Sequence, residues 1–257
     1  MSDTRLSIVI PARNEEALIA EVIEAILVSV ARALGISRRA LWLPDTSFEV
    51  IVADDGSEDD TVAIVRTFVD DAGVRLLPCV GRTCAAARNA GVAVSSGRVL
   101  CFVDADTIVP EHAVARILDL HEGDRRCLVL YRLVSREPGI RAWLWWTFWG
   151  LARNLPLARA KSMPAFMSCD RAHFEAYGPF QESWLIAEEW PLTRAAYRYH
   201  RARFLYDRSL SALTSSRRME LQPFGYSRTF LKWVSVVLFA SARTHAYDRI
   251  RHDTPER

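Results

Sequence analysis

Residues Val99–Thr107 read VLCFVDADT: five apolar residues, then two aspartates separated by one alanine. A short unbroken apolar run closed by polar residues suits a strand buried on both faces of a parallel sheet. Two carboxylates one residue apart, just past such a strand, can share a hard divalent cation such as Mg²⁺ or Mn²⁺, with substrate phosphate supplying further oxygens. Taken alone, the triplet is a weak signal that turn or helix-capping chemistry accounts for more readily. Its neighbours decide between the two.

Working outward, Leu6–Pro11 is another short apolar run and leads into PARNEE (11–16), while Phe48–Ala53 is stopped by Asp54-Asp55-Gly56-Ser57. Between these strands lie stretches of helical periodicity. In Glu15–Leu34 the apolar residues Leu18, Ile19, Val22, Ile23, Ile26, Leu27 and Val30 share one face. Asp59–Val69, the Ala-rich Cys84–Val94 and Pro110–Leu120 also read as helices, the last with proline at a start position that tolerates it. Val74–Leu77 reads as a strand. This alternation predicts an α/β fold with a mostly parallel sheet and helices on both faces. Ligands of such sheets bind beyond the carboxyl ends of the strands. The polar clusters Pro11–Glu16, Asp54–Ser57 and Asp104–Asp106 are therefore expected to converge on one edge.

The second half is less regular. Cys127–Val134, Pro164–Cys169 and the neighbourhood of Phe204–Tyr206 read as strands, and Glu188–Tyr199 reads as a helix. Arg141–Leu151 (RAWLWWTFWGL) is densely aromatic, and Gly35–Ser47 is a long polar connection.

Composition narrows the function classes. Of 257 residues half are hydrophobic and a quarter charged, enough for a sizeable core. A net charge of +2 argues against bulk nucleic-acid binding, although Arg194–Arg218 and Arg228–Arg251 are Arg-rich. Five cysteines without a CxxC pair argue against a disulfide framework or structural zinc. Six scattered histidines show no ligand spacing. The N-terminus has no signal-peptide pattern and no apolar run is long enough to span a bilayer, so a cytoplasmic location is expected.

Several residues offer specific chemistry. A carboxylate at Asp54 or Asp55 can accept from a nucleobase N–H or ribose hydroxyls, although a well-made turn accounts for Gly56, Ser57 and one aspartate. Arg88 on the Ala-rich helix can reach a diphosphate bidentately, and Arg82 reads as a solvated charge. At this point the ordered set PARNEE, ADDGSEDDT (53–61), AAARNAG (85–91) and FVDADT (102–107) resembles the nucleotide-binding half of family-2 glycosyltransferases, whose fold is called GT-A. The resemblance covers roughly residues 5–120.

The resemblance implies a role for each matching position. Pro11, Arg13 and Glu15 would line the nucleotide pocket, Asp55 or Asp54 would bind the base, and Arg88 would contact the nucleotide or phosphates. Asp104 would lie near the ribose and metal, and Asp106 would be the main ligand of Mn²⁺ or Mg²⁺. In the second half MSCDR (167–171), YGPF (177–180) and AEEWPL (187–192) resemble acceptor-side segments. Many members carry a Gly-rich stretch where this chain has Ser168 and Cys169. The family's Glu-Asp pair, with Asp as catalytic base, is Glu188-Glu189 here, so Glu189 aligns with the base; helix-start acids are the plainer account of the pair.

The activity implied is inverting transfer of a sugar from a nucleoside diphosphate sugar, UDP favoured, to a hydroxyl of a saccharide or lipid-linked acceptor. The alternative is a non-catalytic nucleotide-sugar-binding or scaffolding relative. A sugar-1-phosphate nucleotidyltransferase is disfavoured, because no glycine loop follows the first strand. The expected organisation is a GT-A domain over 1–215, with a nucleotide-sugar half to about 125 and an acceptor half beyond, followed by an amphipathic helical tail over 216–257. The apolar Thr229–Ala240, with Arg217, Arg218, Arg228, Lys232 and Arg243 around it, suits peripheral contact with the inner face of an anionic membrane. A buried C-terminal helix or dimer contact would fit it as well. The aromatic stretch fits stacking on sugars, holding a lipid, or filling a core.

Overall fold

The computed structural model describes residues 5–79, 83–157, 160–184 and 187–217, together with Leu231 and Val234. Arg82 and nearly all of the apolar Thr229–Ala240 stretch lie outside the described residues, as does most of the expected tail. The first half alternates as its sequence predicts: β1 (Leu6–Ala12), α1 (Ile19–Leu34), β2 (Phe48–Asp54), α2 (Thr61–Ala72), β3 (Arg75–Pro78), α3 (Cys84–Ala93), β4 (Val99–Val103), the short β5 (Thr107–Ile108) and α4 (Ala113–His121). Then come β6 (Leu128–Ser135), α5 (Ile140–Ala152), β7 (Phe166–Asp170), α6 (Arg171–Tyr177), α7 (Trp190–Tyr199) and β8 (Phe204–Thr214).

All eight strands form one sheet in the order β3-β2-β1-β4-β7-β6-β8-β5. β1 runs parallel to β2 and β4, and β2 parallel to β3. The second half makes the sheet mixed: β7 is antiparallel to both β4 and β6, β8 is parallel to β6, and β5 is antiparallel to β8. Every residue of β1 and β4 is buried, which is why both read as apolar runs, β1 interrupted only at the buried Ser7.

Several boundaries differ from the sequence reading, α2 for instance running Thr61–Ala72 rather than Asp59–Val69, and three of them have a clear local reason. α1 begins at Ile19 rather than Glu15, because the Glu15 amide donates to Thr61 Oγ1 at 2.8 Å and Glu15–Leu18 forms a turn. α4 begins at Ala113, whose amide closes a turn onto the Pro110 carbonyl. β8 continues well past Tyr206: its register against β6 shifts at Tyr131/Arg132, and Asp207 Oδ1 absorbs the polar interruption by accepting from the Ser209 amide and hydroxyl at 2.9 and 2.6 Å. The Gly35–Ser47 connection contains two short 3₁₀ turns.

Close packing fixes α3 on the sheet. A Cβ built at Gly91 would lie 2.4 Å from Val9 Cγ1, on a β-branched side chain with little room to turn. Gly91→Ala is therefore expected to cost about 1–3 kcal/mol as overpacking. A urea midpoint equal to wild type would show that α3 can lift off the strand at no cost.

Candidate active site

The carboxyl ends of β1, β2 and β4 open on one edge of the sheet, and the loops that leave them are tied together. Asn14, at φ 53°, donates its amide to Ser57 Oγ at 2.9 Å and accepts from the Glu58 amide at 2.8 Å. Asparagine tolerates that left-handed backbone better than most residues. The Asp55 amide bonds the Ala12 carbonyl at 2.9 Å. These bonds hold a cleft of about 250 Å³ lined by Pro11, Arg13, Glu15, Asp55, Asp104 and Asp106, with Thr83, Cys84 and Ala87 from the start of α3. The three polar clusters thus meet at one place, as the topology requires.

Asp54 and Asp55 part company here. Asp54 Oδ2 accepts from the Gly56 and Ser57 amides, both at 3.2 Å, so Asp54 organises the turn. Asp55 is the one that lines the cleft.

Arg88 lies behind the cleft rather than in its lining. It is fully buried, donating to Asp104 Oδ1 at 2.5 Å and to Glu188 Oε1 at 2.8 Å, 5.5 Å from the Phe180 ring. Burial opposes its charge, but Asp104 and Glu188 outweigh that and its pKa is raised. One cation therefore spans a carboxylate of the first half and one of the second. Next to it, the Asn89 side chain donates to the Phe180 carbonyl and accepts from the Phe180 amide, at 2.9 and 3.0 Å. The AAARNAG stretch is thus the stitch between the two halves.

Glu189 is fully buried at the start of α7. Its Oε1 accepts from the Ser162 hydroxyl, and its Oε2 has no hydrogen-bond partner among the described residues. Burial, and then the adjacent Glu188 charge, push its carboxyl up to about 8, against the opposing Ser162 bond. Ala187, two residues earlier, sits at φ 60°, a conformation that costs an ordinary residue about 1 kcal/mol and that recurs at functional sites.

Sequence reasoning placed Arg217 with the basic surround of the apolar tail, whereas its guanidinium pairs with Glu15 in the cleft wall, and it missed Ser162. Neither belongs to a recognisable motif, and each reaches its partner only through the fold. It also missed a buried chain in which His121 bonds Asp170 Oδ1 at 2.9 Å and Ser168 Oγ at 2.8 Å. Ser168 further bonds Tyr131 at 2.6 Å. The arrangement has the residue types of a hydrolase triad, but His121 and Ser168 are wholly enclosed. It is a satisfied structural network.

Two carboxylates in an open cleft are a donor set for a hard cation. No group of three or more side-chain ligands converges among the described residues, so substrate phosphate and water would complete a cation's shell.

A family model described as Glycosyl transferase family 2 matches residues 7–174. Validoxylamine A glucosyltransferase from Streptomyces hygroscopicus subsp. limoneus is 33% identical over 120 residues, 46% of this chain and 24% of that one. Dolichyl-phosphate beta-glucosyltransferase from Drosophila melanogaster is 31% identical over 105 residues, 39% of this chain and 30% of that one. These matches span less than a third of each relative's length. Among solved structures, glucosyl-3-phosphoglycerate synthase from Mycobacterium tuberculosis in complex with Mg²⁺ and UDP superposes with a TM-score of 0.61 at 20% identity, covering 90% of this chain and 78% of that one. A mannosyltransferase from Pyrobaculum calidifontis in complex with GDP-Man and Mn²⁺ gives a TM-score of 0.61 at 20% identity, covering 87% of this chain and 60% of that one. Both likenesses establish the fold.

Proposed function

The chain belongs to glycosyl transferase family 2, and on that footing we propose that it transfers a sugar, with inversion, from a nucleoside diphosphate sugar to an acceptor hydroxyl. UDP-sugar is the favoured donor, and a saccharide or lipid-linked hydroxyl the acceptor. The observation that carries this reading is Arg88, which ties Asp104 of the donor cleft to the Glu188-Glu189 pair. Donor and acceptor chemistry are thereby held in one rigid frame.

In this reading Pro11, Arg13, Glu15 and Asp55 receive the nucleoside, and Asp104 and Asp106 hold the diphosphate end. Mn²⁺ or Mg²⁺, held by these two aspartates, would neutralise charge on the leaving diphosphate. Arg217 is placed to leave Glu15 for a phosphate oxygen. Glu189 takes the acceptor proton at Oε2 while Ser162 occupies Oε1. Because Glu189 is enclosed, acceptor binding must open the wall that covers it.

A carboxyl raised to about 8 predicts a pH profile. The base is competent only when deprotonated, so kcat/KM should rise with pH and pass through half its plateau near about 8, and Glu189→Gln should lower it by on the order of 10²–10⁴-fold. Stability runs the other way. The folded carboxyl holds its proton above the unfolded pKa, so the stability it contributes is complete below the unfolded value and is lost as pH rises through the folded one. The Gln variant, which has no such penalty, should gain on wild type in thermal midpoint as pH rises from about 5 to about 8.

The direct test is thermal shift with UDP-, GDP-, dTDP- and CMP-sugars in Mn²⁺, Mg²⁺ or EDTA, followed by acceptor screening with the donor that stabilises. No stabilisation by any donor would sink the reading. The enclosure of Glu189 favours a second one, a donor-binding relative without transfer, which metal-dependent stabilisation with no turnover on any acceptor would identify.

A further inference from the structure

Apart from the exposed Arg141 and Thr147, helix α5 is apolar on every side. Ala142, Trp149 and Ala152 are buried, and the helix packs on β6. The opposite stripe, Ile140, Trp143, Leu144 and Leu151, recurs at helical spacing and is 68, 58, 54 and 65% exposed. Leu155 and Leu157 continue it beyond the helix, also exposed. A surface helix of a globular protein ordinarily turns polar residues to water.

The charge along this stretch has one sign. From Pro138 to Cys169 the chain carries no Asp or Glu; Arg141 is exposed on the helix, while Arg153 and Lys161 are buried beneath it, bonded to backbone carbonyls. Trp143 and Leu151 also wall a cleft of about 620 Å³ whose far side is formed by Tyr206 and the exposed Arg132 and Arg208. Among the described residues the one acid lining it, Glu137, is engaged with Ser215 and Ser216. The cleft adjoins the donor side: Trp146 Nε1 donates to Ser216 Oγ at 3.0 Å, and the next residue, Arg217, pairs with Glu15.

We propose that the exposed face of α5 docks on an anionic lipid bilayer, with the cleft between α5 and β8 opening onto the lipid headgroups. Tryptophan and leucine sink into the headgroup boundary while arginines meet lipid phosphates. A second copy of this chain fits poorly, because pairing the face with itself brings like charges together. The docking stands without the transfer chemistry. Only its corollary, that the acceptor hydroxyl arrives on a lipid, rests on the glycosyltransferase reading.

The test is cosedimentation of the full chain with vesicles of phosphatidylcholine alone and of phosphatidylcholine mixed with phosphatidylglycerol. Wild type should pellet with the anionic vesicles, less with neutral ones, and less as salt rises. Ile140→Ser/Leu144→Ser, at two exposed sites outside the cleft lining, should bind about tenfold more weakly or worse with an unchanged thermal midpoint. Arg132→Ser/Arg208→Ser should lose the preference for anionic vesicles. Wild type failing to bind anionic vesicles at low salt overturns the proposal. So does a serine double variant that pellets like wild type, which would move the contact to another segment. So does a wild-type dimer that the serine variant turns into a monomer with no vesicle binding by either. Donor thermal shift on the same proteins separates this outcome from failure of the transfer reading, since vesicle binding needs no donor.

Discussion

Asp106→Ala is expected to abolish metal-dependent stabilisation by the donor and to lower transfer by on the order of 10²–10³-fold, the scale of losing a principal electrostatic contact to the developing charge. The loss should fall mainly on metal and donor binding. Asp106 is half-buried, and its carboxylate meets Thr107 Oγ1 at a long 3.4 Å. Its backbone carbonyl, which accepts from the Ser215 amide at 3.1 Å, survives the substitution. Asp104→Ala is the informative contrast, because it also strips Arg88 of a partner and should lose stability as well as activity. Thermal midpoints with and without Mn²⁺ and donor, measured on both variants, separate the two. If Asp106→Ala kept full metal-dependent stabilisation, the cation would have to be held elsewhere.

The second large effect is on folding. Arg88→Ala removes a buried cation from between two carboxylates and leaves Asp104 and Glu188 without it. Breaking a buried pair from one side typically costs about 3–5 kcal/mol. Partial exposure of both acids places this case near the lower end, about 3 kcal/mol, or a fall in thermal midpoint of roughly 6–12 °C. Arg88→Lys should rescue little, since one ammonium cannot copy a fork that reaches two separate acids. Arg88→Ala/Glu188→Gln should recover part of the loss by removing one of the stranded charges. A single variant as stable as wild type would mean that solvent already screens both acids.

The legible part of this molecule was its first half, because a strand buried on both faces must be continuously apolar and its polar exit must be abrupt. Val99–Val103 obeys that rule outright, Leu6–Ala12 with one break at Ser7 and Phe48–Ala53 with one at the half-buried Glu49, and the convergence of Glu15, Asp55 and Asp106 follows from parallel pairing alone. The mixed second half was harder to read. β7 is recognisable as a strand, but nothing in FMSCD says that it will lie antiparallel between β4 and β6. Side-chain bridges were the least legible. Arg88 is separated from Glu188 by 100 residues and Arg217 from Glu15 by 202, and no local periodicity encodes such meetings. Arg88, expected from the sequence to contact phosphate, is buried behind the cleft lining, where it joins Asp104 to Glu188.

The place of β7 bears on how this chain can be cut and recombined. One edge of β4 is covered by a strand from beyond residue 160. A fragment ending near 125 would carry every lining residue of the cleft at the strand ends yet present that bare, fully apolar edge to its neighbours, an invitation to fibrous stacking. Modular swaps between relatives of this chain should therefore carry β7 along with the nucleotide half, however far apart the two lie in the reading frame.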